Sequence, residues 1–179
     1  MKRSKRIPLL GFGLTLFLNK PHLIYGNSSY GGGSGTESDP YLISTPEHLN
    51  QLQLDVNMNG FDTTGIYYQL TNNIDLLDYD NDLDETNGNF TPIGDSINTF
   101  KGLFDGNNNT ISNVEIILPD QNYIGVFGHV VSATIQNLKL KGITIEGKSY
   151  VGGLIGYQSE GLVQQNYVGG KISGIGEVG

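Results

Sequence analysis

YVGGLIGYQSEGLVQQNYVGGKISG, residues 150–174, restates text that the chain has already used. Tyr123-Ile124-Gly125 returns 27 residues later as Tyr150-Val151-Gly152, and 27 later again as Glu177-Val178-Gly179. GVFG (125–128) answers GGLIG (152–156) with Gly153 inserted, Ile135-Gln136-Asn137 answers Val163-Gln164-Gln165, and Gly142 answers Gly170. A shorter copy starts at Phe100 with FKGLFDGNNNTISNV. A period in this range is the signature of a repeat array, and it constrains the fold before local propensity does.

The pattern inside the repeat selects the kind of array. Leu138 and Leu140 alternate with Lys139 and Lys141, then Ile143 and Ile145 with Thr144 and Glu146. Period two with one apolar face means half-buried strands, and glycines punctuate each run where the backbone must turn. A unit of this length, with about three short strands and their corners, suits one coil of a parallel β-helix. The expected fold is therefore all-β, a parallel β-helix (solenoid), with right-handed coiling the default for parallel crossovers. Stacked coils should align apolar residues in columns, Phe100, Tyr123 and Tyr150 being one candidate. Asn113, Asn137 and Gln165 are expected to stack at a shared corner as an amide ladder.

These residues carry a resemblance. VGGLIG, followed by a polar turn and a V-x-x-x-Y-V-x-G strand, resembles the GLUG repeat of bacterial surface proteins, with Gly153-Leu154-Ile155-Gly156 as its core. The preceding order of segments is also similar: GSGTESDPYLIST, a short helix, YYQLTNNIDL, TPIG, then FKGLFDGNNNTISNV. The likeness runs over roughly residues 33–179, with two departures: Asp105 interrupts the core of the first copy, and Gln165 replaces an Asn. It implies an adhesin-like secreted or cell-surface protein, or a region beside the catalytic part of an IgA-specific metallopeptidase.

Residues 1–28 read as a signal peptide: Lys2, Arg3, Lys5 and Arg6, then an apolar run from Ile7 to Leu18 that is too short to span a bilayer. Secretion or cell-surface display is the expected localisation, with no membrane insertion after cleavage. Residues 29–36 read as a flexible Gly/Ser-rich leader, because YGGGSG (30–35) offers few side chains to pack. Residues 37–99 are assigned to an N-terminal cap and the first coils. Tyr41-Leu42-Ile43 is the first strand, and Thr45 is the N-cap of a helix with Pro46 at its first position. Leu49, Leu52 and Val56 share one face of that helix, which suits a cap on an exposed first coil. Residues 100–179 are the GLUG-like coils, stopping three residues into a new copy. On this reading the chain is a fragment, further copies of its own repeat follow, and Leu154, Ile155 and Val163 lie exposed at an open end.

After residue 26 there are five lysines, no arginine and all 18 acids, a net of −13. Nothing there suggests a basic face for nucleic acid. The acidic stretch Asp75–Glu85 is the one metal-like feature: Asp78, Asp80, Asp82 and Asp84 alternate and form a weak Ca²⁺ candidate. Leu83 stands where a calcium loop needs glycine and Asn89 where it needs a bidentate Glu, so a solvated acidic loop is the simpler reading. His48 reads as a polar residue of the helix and His129 as a corner residue. With no Cys, no HExxH and no GxSxG in the sequence, no catalytic residue and no cofactor is assigned, and no enzyme is expected. A polysaccharide lyase or hydrolase is the enzymatic rival, but no facing carboxylates emerge from the repeat alignment.

The function expected is the N-terminal part of a secreted or cell-surface repeat protein, a stalk or adhesive module for a glycan or protein ligand of the host or surface. The alternative is an accessory solenoid of a larger secreted enzyme.

Overall fold

A computed structural model of the chain describes residues 30–79 and 88–176. The expected signal peptide, the acidic positions Asp80, Asp82 and Asp84, and the last partial repeat fall outside the described residues.

The elements are β1 (Tyr41–Ile43), α1 (Pro46–Asn57), β2 (Tyr67–Leu70), β3 (Ile74–Asp75), β4 (Leu103–Asp105), β5 (Thr110–Ser112), β6 (Glu115–Ile124), β7 (Phe127–Gln136), β8 (Lys139–Val151), β9 (Ile155–Gln164) and β10 (Tyr167–Gly174). Every pairing between these strands is parallel. The first sheet runs β1-β2-β4-β7-β9, and the second runs β10-β8-β5-β3 with β6 also against β8. The chain alternates between the sheets as it advances, which makes a parallel β-solenoid of about four turns with one short helix. The interior is a single apolar cluster in which Ile43, Tyr68, Phe104, Ile135, Leu138, Leu140, Ile143 and Ile145 are all almost fully buried. The alternation of Leu and Ile with Lys, Thr and Glu in β8 is therefore the in–out alternation of a coil wall.

The repeat frame holds in the later coils. Asn122 aligns with Ser149 and Ile124 with Val151, so Tyr123 faces Tyr150, while Phe127 aligns with Ile155 and Gln136 with Gln164. The first copy is framed differently from the sequence expectation. Leu103-Phe104-Asp105 aligns with Thr134-Ile135-Gln136, not with GVFG, and the residue that aligns with Phe127 is Ile93 of TPIG. Phe100 is thereby removed from the Tyr123–Tyr150 column. It is fully buried opposite Val130 and packs on Tyr68 and Phe127 at 5.9 and 5.2 Å, in an internal aromatic row.

The corners also differ from the expected ladder. Asn113, Asn137 and Gln165 all adopt left-handed backbone, with φ of 57, 55 and 57°. Asn137 and Gln165 share a corner, but Asn113 turns a different one, where its backbone N–H donates to the Lys141 carbonyl beside Gly142. Its side-chain amide donates to Asp75 at 2.7 Å, so three amides cannot stack. Most corner asparagines bond instead to the backbone of a neighbouring coil. Asn89 donates to the carbonyls of Leu76 and Asn113 and accepts from the Glu115 N–H at 2.7, 2.8 and 2.8 Å. Asn166 accepts from the Leu138 N–H and donates to the Ile135 carbonyl at 2.9 and 2.8 Å.

At the N-terminal end, Thr45 caps α1 by accepting from the His48 N–H, and Leu49, Leu52 and Val56 enter the core as expected. Asn57 then ties the helix to the next segment, donating to the Pro92 carbonyl and accepting from the Gly94 N–H at 2.8 and 2.7 Å. YGGGSG is not a free leader. The Gly31 N–H donates to the Leu42 carbonyl and the Leu42 N–H to the Gly32 carbonyl, so this segment covers the outer edge of β1. Gly33 is required there: its φ is +86°, and a Cβ would run into the Pro40 carbonyl oxygen. Tyr30 anchors the segment by stacking on Tyr41 at 4.9 Å and donating to Asp55 at 2.8 Å.

Candidate functional site

Two surface features gather side chains that the sequence keeps far apart. The first lies on the outer face of the first sheet. Because coils stack in register, outward residues of β2, β4, β7 and β9 form columns about 4.8 Å apart per step. Tyr67, Leu103, Thr134 and Leu162 make one column; Gln69, Asp105, Gln136 and Gln164 make the next. The second column is hydrogen-bonded from Gln164 to Asp105. Gln164 donates to Gln136 at 3.0 Å and Gln136 donates to Asp105 at 3.1 Å. Asp105 also accepts, on its other oxygen, from the Asn107 N–H at 2.7 Å and from Asn137 at 3.0 Å. This column differs from the ladder expected at Asn113, Asn137 and Gln165: it runs through strand residues, not corner residues, and ends on a carboxylate.

Where the segment before β1 overhangs this face, the two columns become the floor of a cleft of about 210 Å³. It is lined by Glu37, Pro40, Tyr67, Gln69, Leu103, Asp105 and Gln136, with Tyr68 beneath.

The second feature is an aromatic corner. Tyr123 and Tyr150 hold φ of 64 and 56°, a region that bulky residues seldom occupy. Their rings lie flat on each other at 5.1 Å and 4°. The His129 ring stacks on Tyr123 at 5.2 Å, and Tyr157 meets all three edge-on at 5.0–5.7 Å. His129 is thus the third residue of β7, aligned with Tyr157, and not a corner residue; its Nδ1 is buried without a partner among the described residues. The backbone crowds here because Gly128 passes against the carbonyls of Gly94 and Tyr123, leaving no room for a Cβ. Ring stacking at the coil spacing favours this corner, where Tyr123, His129 and Tyr150 are half-buried and Tyr157 stays 39% exposed.

The other sequence candidates do not assemble. Asp78 is exposed, and the rest of the Ca²⁺ set lies outside the described residues. Asp75 is committed elsewhere: bonds from the Asn113 amide and the Leu77 N–H hold its carboxyl below the usual range. Asp62 is likewise lowered by the Thr64 hydroxyl and N–H, with Lys101 a smaller cause. Among the described residues no three His, Asp or Glu side chains converge as a metal-holding group. His48 bonds to the Ser44 N–H and hydroxyl at 3.3 and 3.2 Å, on a different element from His129. Burial pushes the Tyr30 hydroxyl well above its ordinary pKa, which suits an anchor and not an acid–base group.

Charge is segregated. Lys139, Lys141, Lys148 and Lys171 all sit in β8 and β10, whereas strands of the first sheet carry no lysine. The described residues show one ion pair, Lys101–Asp62 at 3.7 Å, on exposed side chains.

No family model matches the chain. It is 39% identical over 134 residues, 73% of its length, to a provisionally named Gly-rich membrane protein of Evansella cellulosilytica. It is 33% identical over 149 residues, 82% of its length, to Halomucin of Haloquadratum walsbyi. The chain spans only 14% and 2% of those two proteins. In structure it resembles a candidate immunoglobulin A1 protease from Bacteroides ovatus, with a TM-score of 0.56 and 18% identity over 79% of this chain and 40% of that one. At that identity the likeness concerns the fold alone. Among the described residues no helix is long and apolar enough to cross a membrane.

Proposed function

We propose that the chain is a non-catalytic β-solenoid module of a secreted or cell-surface repeat protein, serving as stalk and binding surface. The observation that carries this reading is the register of the coils, which lays Tyr67, Leu103, Thr134 and Leu162 beside Gln69, Asp105, Gln136 and Gln164 on one continuous outer face. Strands β9 and β10 end their sheets with no further strand beyond them among the described residues, and Leu162, Val163, Tyr167 and Val168 stand 38–57% exposed beside those edges. Parallel strands with open N–H and C=O groups and apolar neighbours are a template for another coil of the same kind. Leu154 and Ile155, expected exposed at this open end with Val163, are not: Leu154 is 8% exposed and belongs to the core, and Ile155 is half-buried against it. The names of the two curated relatives agree with a surface setting, and the basic-then-apolar start of the sequence supports export. The GLUG resemblance fits the same setting.

Size-exclusion chromatography with light scattering on the full chain, across a dilution series, tests the open edge. Concentration-dependent association is expected, and a charged pair such as Leu162→Asp with Val168→Asp should abolish it. A monomer at every concentration would remove the template reading. Export is tested separately by expressing the full chain in a secreting bacterium: the exported protein should lack roughly the first 28 residues by mass.

A second reading, an accessory solenoid of a larger secreted enzyme, draws on the likeness to the Bacteroides ovatus protein. It makes the same prediction for this chain, namely binding without turnover.

A further inference from the structure

We infer that the cleft over β2 and β4 is a binding site for a neutral hexopyranose unit of a polysaccharide, an assignment that rests on the surface-binding reading above. A pyranose ring has an apolar C–H face and a rim of hydroxyls that both donate and accept. The cleft offers the complement of each. Tyr67 and Leu103, aligned in register, give an apolar floor, and Gln69 and Asp105, aligned two residues further along the same strands, give a polar rail. The rim of a ring lying on the floor therefore reaches the rail.

The polar groups have capacity to spare. Asp105 is held in place by three bonds, two on Oδ1 and one on Oδ2, so Oδ2 retains a lone pair for a hydroxyl donor. Gln69 and Glu37 make no side-chain hydrogen bond or ion pair within the described structure. An amide can donate and accept at once, which matches a hydroxyl, and a fixed carboxylate beside it gives a preorganised acceptor. At about 210 Å³ the cleft is smaller than the ~300–1,000 Å³ typical of pockets for larger organic ligands, so one ring is the natural occupant. The two columns continue past the cleft as Thr134–Leu162 and Gln136–Gln164, giving neighbouring units a track along the axis.

Charge settles the class of sugar. Glu37 and Asp105 line the cleft; Lys101, two residues before Leu103, is paired with Asp62 at 3.7 Å, and the four lysines of β8 and β10 lie on the second sheet. A uronate, sialate or phosphorylated unit would be repelled, whereas a neutral one meets only hydrogen-bonding groups.

The test is isothermal titration calorimetry of the full chain with neutral tetrasaccharides (gluco-, manno- and galacto-) and with tetragalacturonate. Saturable binding of at least one neutral tetrasaccharide is expected. Tyr67→Ala should weaken it about tenfold or more, and Gln69→Ala should weaken it less. Because Tyr67 is half-buried, amide chemical-shift mapping of the unmutated chain is run alongside, and the shifted resonances should centre on β2 and β4. No binding to any neutral tetrasaccharide, or equal binding of the uronate, would overturn the assignment. Binding that survives both substitutions and maps elsewhere would remove the cleft and leave the surface-binding reading standing; the light-scattering result is independent of both.

Discussion

Replacing Leu49 and Leu52 of α1 together by alanine should unfasten the N-terminal coils while leaving the later ones intact. Both side chains have no exposed surface, and they lie one turn apart in the same apolar cluster as Ile43, Tyr68 and Leu70. A buried Leu→Ala change costs about 2–5 kcal/mol, the larger values where the cavity cannot collapse. Neighbouring substitutions share one cavity and are not additive, so a combined loss on the order of 4 kcal/mol is the cautious figure. In a globular domain that loss would be felt everywhere. Here each coil touches only its neighbours, so stability is closer to a sum of local terms. Native-state hydrogen exchange reads the difference. The amides of β1 and β2 should lose about three decades of protection, at 1.4 kcal/mol per decade, while β9 and β10 keep theirs. No loss in β1 and β2 would refute the capping role, and an equal loss in every strand would refute the one-dimensional description.

Asn89→Ala should destabilise on the order of 2 kcal/mol, since it removes two part-buried bonds and one exposed bond to the backbone, and urea denaturation measures it. Asn89→Asp should fail to rescue, because a carboxylate would then face the carbonyls of Leu76 and Asn113. The raised pKa of buried Tyr30 means that only the unfolded state ionises just above pH ~10, so its contribution is full below that pH and declines as pH rises further. The melting temperature of Tyr30→Phe should therefore fall less steeply above pH ~10 than that of the parent chain. Millimolar Ca²⁺ should move the melting temperature little; a saturable shift of several degrees that disappears in Asp80→Ala would instead make the acidic stretch a metal site.

The parts of the fold legible in the sequence are those where coil length is constant. Phe127 and Ile155 are 28 residues apart, and the same spacing links Gln136 to Gln164, so the eye finds the frame. The earlier coils hide theirs behind insertions. Ile93 precedes Phe127 by 34 residues, and Asp105 precedes Gln136 by 31, which shifted the apparent first copy from TPIG to the better-matching GLFDG. Only Ile93 and Gly94 are left to mark that turn of the solenoid, too little for a pattern. The cleft was illegible for the same reason. Its floor and rail combine Tyr67 and Gln69 with Leu103, Asp105 and Gln136, at intervals of 36 and 31 residues that no single period relates. Asn137 and Gln165 were legible as corner residues because Ile135-Gln136-Asn137 and Val163-Gln164-Gln165 align in the repeat, and both take the left-handed backbone that a corner needs. That asparagines bond across coils to backbone is a three-dimensional fact, and side-chain type alone does not announce it.

Stacked parallel coils also fix how the chain answers to mechanical tension. A pull along the axis loads the hydrogen bonds between successive coils end to end, so they share no burden and the weakest interface opens first. Each detached coil of 28 residues would then release roughly 90 Å of slack for the 4.8 Å of height it gave up. Extension should be a staircase, one rung at a time, and a tether built this way would dissipate a sudden load by paying out length before its anchorage fails. Asparagines such as Asn89 and Asn166, which clip one coil to the backbone of another, would set the height of individual steps.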